Sequence, residues 1–127
     1  MPSAAMQSPG DSLPTPPGVE PGNAANGRAI VLDRQRGLCL LCHGGPFPDA
    51  PQQGNLAPSL AGAGLRWNDA QLRLRITDSR RIHPESIMPA YGVTDPAPRV
   101  ARRHQGQSIL TPQQIEDVVA FLSTLRD

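Results

Sequence analysis

Aromatic side chains are scarce in this chain: one Trp, one Tyr and two Phe among 127 residues. An aromatic normally buries ~150–250 Å², so Trp67, Tyr91, Phe47 and Phe121 leave a thin core. A short domain has little buried surface to spare, and a large, flat, apolar cofactor would supply what is missing. No run of ~20 apolar residues is present, which excludes a membrane-spanning helix. Neither sign of charge is in excess, with 12 basic and 11 acidic residues and a formal net charge of +1. That balance gives no reason to expect nucleic acid or an anionic membrane as the main partner. The N-terminus lacks a basic n-region and an apolar h-region, so the chain is either cytoplasmic or has had a signal peptide removed. Cysteine is confined to Cys39 and Cys42.

Proline and glycine, by contrast, are plentiful at 15 and 12 residues. The length predicts one domain. Residues 1–22 are rich in Pro, Gly, Ser and Ala without helical or alternating period, and read as a flexible, partly polyproline-like tail. The domain proper is expected over 23–127. A first helix is expected from about Ala25 to Arg36, with Gly37 behind it as the C′ residue. Residues 44–66 hold so much Pro and Gly that they read as one long loop, a feature usually kept for function. A second helix is expected over Asp69 to Thr77 behind Asn68 as N-cap, with Leu72 and Ile76 on one face. A loop from Asp78 to Asp95 and a short helical piece at Arg99–His104 follow. The last helix has the clearest signature. Thr111, Pro112 and Gln114 form a capping box with Pro at N1. Leu110 and Ile115 are placed for a hydrophobic staple, and Ile115, Val118, Val119, Leu122 and Leu125 follow a helical period. No alternating strand segment or internal repeat is visible, so the class is all-α with long loops.

The chemistry is concentrated in "GLCLLCHGG", Gly37 to Gly45. Three readings compete for its two thiols and imidazole. A structural zinc site needs four ligands, usually two such pairs, and zinc rarely takes three from so short a run. A thioredoxin-like redox pair wants a βαβ context, and none is visible. The third reading is covalent haem attachment, which the C-x-x-C-H spacing signals. Cys39 and Cys42 each form a thioether to the porphyrin, and His43 is held beneath the iron. Met88, in "SIMPAYG", is the expected second axial ligand, because Pro89 stiffens the loop beside its sulfur. Gap-filling in the core is the ordinary use of a Met, and His83 and His104 are alternative ligands. A Met/His pair fills both axial positions, which favours electron transfer over oxygen chemistry and raises the potential. The Pro58 carbonyl is a candidate to orient His43 through Nδ1–H. Arg66, Trp67 and Arg75 are candidates to meet the haem propionates. Arg80–Arg81 and Arg102–Arg103 read as solvated or as a docking surface. Haem attachment belongs to an extracytoplasmic assembly system, so the expected location is periplasmic with the signal removed.

The order of helix, C-x-x-C-H, Pro loop, Met loop and terminal helix resembles class I c-type cytochromes. More narrowly, "GNLAPSLAGAG", "LRLRITDSRRIHPESIMPAYG" and "QGQSILTPQQIEDVVAFLSTL" resemble the SoxX family of monohaem subunits, over about Asn26 to Leu125. The resemblance implies a class I cytochrome c-like fold, with a few short helices and long loops around one covalently bound haem c. It implies Cys39, Cys42, His43 and Met88 as the haem residues. It also implies a SoxA-like catalytic partner, dihaem or monohaem, a SoxYZ-like carrier protein and a soluble cytochrome c as electron acceptor. The complex would act as an L-cysteine S-thiosulfotransferase, coupling thiosulfate oxidatively to a carrier cysteine, with no catalytic residue in this chain. The Pro-rich N-terminal stretch does not match the family pattern and is a linker or an arm over the partner. The alternatives are a free-standing electron shuttle, the cytochrome subunit of another sulfur oxidoreductase such as a sulfite dehydrogenase, and a non-haem module with a zinc clip.

Overall fold

The computed structural model describes residues 10–33, 37, 39–47, 53–55, 57–92 and 108–126. Helix α1, Ala24–Leu32, starts where the Asn23 side chain accepts the Asn26 N–H at 2.9 Å, a conventional N-cap. It stops at Leu32 rather than Arg36, because Asp33 leaves the helical region at ψ 116° and its N–H bonds back to Ile30 at 3.1 Å. Gly37 is therefore part of the turn that follows and not the residue closing the helix. Its N–H reaches the Asp33 carbonyl at 3.2 Å.

Helix α2, Ala63–Arg66, lies inside the stretch expected as continuous loop. Gly62 enters it in the left-handed region at φ 77°, and four residues are too few to show a period in the sequence. Helix α3, Asp69–Asp78, has the expected Asn68 N-cap, completed into a capping box by Gln71. Helix α4, Pro112–Ser123, opens on Thr111 with its capping box and Pro. Short 3₁₀ turns occupy Cys39–Leu41 and Ser79–Arg81. The helical piece expected at Arg99–His104 falls outside the described residues. Among the described residues there is no strand.

Helices α1, α2 and α3 all pack on α4. Ile30 and Val31 from α1, Leu72 and Ile76 from α3, and Ile115, Val118, Val119 and Leu122 from α4 form one buried cluster, with Phe47 against Phe121 at its edge. Helices α1 and α4 cross closely enough to require a glycine. A Cβ on Gly27 would lie 1.9 Å from the Asp117 carbonyl oxygen.

Of the stretch expected as a flexible tail over 1–22, residues 1–9 fall outside the described residues. Residues 10–22 run across α3 and α4 and are tied to both. Leu13 N–H bonds to the Ala70 carbonyl at 3.0 Å, and Asp11 pairs with Arg75 at 3.1 Å and accepts from Gln71 at 2.7 Å. Glu20 exchanges backbone bonds with the Gln113 side chain. An extended, Pro-rich chain leaves its own N–H and C=O groups free, and the two helices offer side chains that take them up. Beneath it Arg73 and Glu116 form a buried bidentate pair, at 2.7 and 2.9 Å, with side chains only 8% and 7% exposed. The remaining guanidinium nitrogen donates to the Leu13 carbonyl at 2.7 Å. Asp117, also buried, accepts the Asn23 N–H at 2.9 Å and so serves the N-terminus of α1, where negative charge is favoured.

Candidate functional site

The turn at Cys39–Leu41 is tight. Both the Cys42 and His43 N–H groups point at the Cys39 carbonyl, at 3.3 and 2.9 Å. This winding brings Cys39 and His43 to the rim of one cleft. Its walls are aliphatic: Ile30 and Val31 from α1, Leu60, Ile76 from α3, and Val118 and Leu122 from α4, with Leu110 before it. Met88 reaches the same cleft from the loop behind α3. Among the described residues, the side-chain heteroatoms on its lining belong to Cys39, His43, Met88 and Tyr91. Cys42, half-buried with a free thiol, is next to the cleft but not on its lining.

The Pro58 loop is laced to this turn by backbone bonds. Gly54 N–H meets the Leu40 carbonyl at 2.8 Å, Ala57 N–H the Cys42 carbonyl at 2.9 Å, and Leu60 N–H the Gly44 carbonyl at 2.7 Å. The loop thereby carries the Pro58 carbonyl to 2.6 Å from His43 Nδ1. A carbonyl can only accept, so Nδ1 is the donor in this bond, which leaves Nε2 as the ring nitrogen free to face the cleft.

Arg66 and Trp67, expected near propionates, do not line the cleft. Arg66 donates to the Ser59 and Ala61 carbonyls, both at 2.9 Å, and so clasps the Pro58 loop from outside. Trp67 lies between two guanidinium groups, Arg66 at 5.0 Å and Arg75 at 4.5 Å from the ring centroid. Among the described residues, a wide, shallow groove over Gly64–Ala70, Ser123 and Arg126 is lined by neither a thiol nor an imidazole.

On the Met88 side, Ser86 Oγ accepts the Met88 N–H at 3.2 Å and shares a bond of 2.8 Å with the Ser79 hydroxyl, which is buried. The serines and Tyr91 were not legible as site residues. A serine two positions before a loop Met is a weak signal by itself, since such hydroxyls serve ordinary turns. Burial pushes the Cys39 thiol up from 9.0 to about 11, against a smaller lowering by its bond with Tyr91. Burial, and then the neighbouring Cys39, push the Tyr91 hydroxyl up as well.

The donor set can be tested against the competing chemistries. Among the described residues no group of three or more His, Cys, Asp or Glu is arranged to hold a metal ion, and zinc needs four ligands. Haem c requires an apolar slot, thiols at its edge and soft or imidazole donors facing into it. Those are the features present, and the residues fit that group.

The family model described as Cytochrome c matches residues 24–126. Among solved structures, a chain of SoxXA from P. pantotrophus is similar at 35% identity and a TM-score of 0.83. The match covers 96% of this chain and 94% of that one. The c-type cytochrome SorU from Sinorhizobium meliloti is similar at 27% identity with a TM-score of 0.46, over 81% of this chain and 90% of that one. No curated protein matches.

Proposed function

From the premise that this chain belongs to the cytochrome c family, and is a SoxX-like, all-α electron-transfer domain with covalently bound haem c, we propose that it is the electron-transfer subunit of a SoxAX-like complex. That complex couples thiosulfate oxidatively to a cysteine of a carrier protein and passes the electrons to a soluble cytochrome c. The partner reading is supported by 35% identity to a chain of SoxXA over 96% of this one. The location is periplasmic, in keeping with haem attachment, and no helix among the described residues is long and apolar enough to cross a membrane.

The haem, when bound, supplies a one-electron iron couple. The chain's own residues attach, orient and shield it. Cys39 and Cys42 provide the two thioether sulfurs. His43 would hold the iron through Nε2, its ring fixed by the Nδ1–H bond to the Pro58 carbonyl. Met88 would supply the second protein ligand, and a thioether in that role would raise the potential relative to a second imidazole. One observation carries this reading: an imidazole and a thioether sulfur from distant parts of the chain face one apolar cleft. If His43 and Met88 both hold the iron, the chain's own part would be to transfer electrons rather than to bind a substrate at the metal.

Two measurements test the proposal. The intact mass should exceed the polypeptide's by one haem that resists acid-acetone extraction, and Met88→Ala should abolish the sulfur-to-iron band and lower the potential. An unchanged spectrum in that variant removes Met88 as ligand. For the complex, the chain should co-purify with a larger cytochrome and become reduced when thiosulfate and a carrier protein are added to the pair. Reduction without the partner would refute the subunit assignment.

A further inference from the structure

Tyr91 is the chain's single tyrosine and is 3% exposed. It stands three positions beyond Met88, and its backbone is fixed on two sides. Its N–H bonds to the Ile76 carbonyl at 3.2 Å and its carbonyl accepts the Leu110 N–H at 3.0 Å, while Gly92 N–H reaches Thr77 at 3.1 Å. These bonds join the Met88 loop to the end of α3 and to the entry of α4. The side chain goes elsewhere. It lines the cleft, and its hydroxyl donates to the carbonyl of Gly37, two residues before Cys39. That carbonyl is held in place, because Gly37 is buried with its Cα so near α1 that a Cβ would lie 2.2 Å from the Ile30 carbonyl oxygen.

We propose that Tyr91 is a positioning residue that ties the Met88 loop to the haem-attachment turn and so sets how firmly Met88 is held as a ligand. The inference rests on Met88 being that ligand. Two donors now face the Gly37 carbonyl, the Tyr91 hydroxyl and the Cys39 thiol at 3.6 Å. Addition of the Cys39 S–H across a haem vinyl group would form the C–S bond and move the thiol hydrogen to carbon, which would leave Tyr91 as the donor between these two. Pro89 and Ala90 are all that separate Met88 from this anchor, and the fixed φ of Pro89 transmits its position. Upstream, the Ser79–Ser86 hydroxyl pair holds the Met88 N–H. The Tyr91 bond links the loop to the side that bears His43.

The test uses holoprotein and imidazole, a ligand that competes with Met88 for ferric iron. All 12 basic residues are arginine, so no lysine amine complicates the competition. Tyr91→Phe keeps the ring and removes the donor, leaving a buried acceptor unsatisfied. Imidazole should displace the sulfur-to-iron band at about tenfold lower concentration in this variant, a factor within the range for such a loss. Arg73→Met, which is expected to weaken the whole fold away from this loop, should leave imidazole affinity unchanged. If Tyr91→Phe does not accumulate, biosynthetic 3-fluorotyrosine alters this one residue alone and makes its hydroxyl a stronger donor, so imidazole should bind more weakly. Unchanged imidazole affinity in either protein overturns the proposal, whatever happens to overall stability. A wild-type protein without the sulfur band overturns it at its premise, through Met88 rather than Tyr91.

Discussion

Replacing Arg73 by Met removes one half of the ion pair beneath the N-terminal segment, and its consequence can be worked from the geometry. Three guanidinium nitrogens are engaged: two on Glu116 at 2.7 and 2.9 Å and one on the Leu13 carbonyl at 2.7 Å. Glu116 is 6% exposed and would be left with a buried, uncompensated charge. Breaking such a pair from one side costs about 3–5 kcal/mol. At roughly 3–5 °C per kcal/mol for a domain of this size, the holoprotein should melt about 10–20 °C lower. Replacing both partners, Arg73→Met with Glu116→Leu, removes the stranded charge, and most of that loss should be recovered, because apolar replacements of buried pairs are often neutral. Denaturant unfolding followed by the haem spectrum supplies the stabilities. Limited proteolysis supplies a second signal, since losing the bond to Leu13 should expose residues 10–22 to cleavage. A loss below about 1 kcal/mol in the single variant, or a double variant as unstable as the single, would refute the argument.

Gly27→Ala should destabilise by more than about 2 kcal/mol, because the added Cβ meets backbone and not a side chain that can turn away; denaturant midpoints read this, and a neutral result would mean that α1 and α4 cross less closely. Pro58→Ala should leave the reduction potential unchanged, since the carbonyl facing His43 survives, whereas Arg66→Ala, which frees the Ser59 and Ala61 carbonyls, should shift it; voltammetry of both variants compares them. Burial holds the Cys39 thiol at about 11, which leaves about 100-fold less thiolate than an ordinary thiol and slows alkylation of the folded, haem-free chain by that factor. The folded value is the higher one, so this group's contribution to stability is intact below pH 9 and is lost as pH rises toward 11. Equal alkylation rates in buffer and in strong denaturant would contradict the burial.

Local signals decided much of this protein in advance. Thr111-Pro112 with Gln114, and Asn68 before Asp69, are signatures that satisfy a helix's first N–H groups within a few residues of chain, so both helices begin where expected. The C-x-x-C-H run is equally local, because one turn holds both thiols and the imidazole. The pairing of His43 with Pro58 was also legible, as an Nδ1–H needs an acceptor and a Pro-rich loop nearby offers free carbonyls. Other features depend on residues far apart in the chain. Nothing beside Arg73 in the chain marks it as the arginine that Glu116 and the Leu13 carbonyl enclose. The Pro-rich segment read as unattached because an extended chain makes no internal bonds, and its partners are on α3 and α4. Arg66 carries the right charge for a propionate yet spends its donors on two loop carbonyls. Tyr91 bears no mark in sequence of the bond it makes to the Gly37 carbonyl. Helix starts and the attachment motif are settled by neighbours in the chain, whereas buried charge and the hold on Met88 depend on which distant backbone groups packing brings within reach.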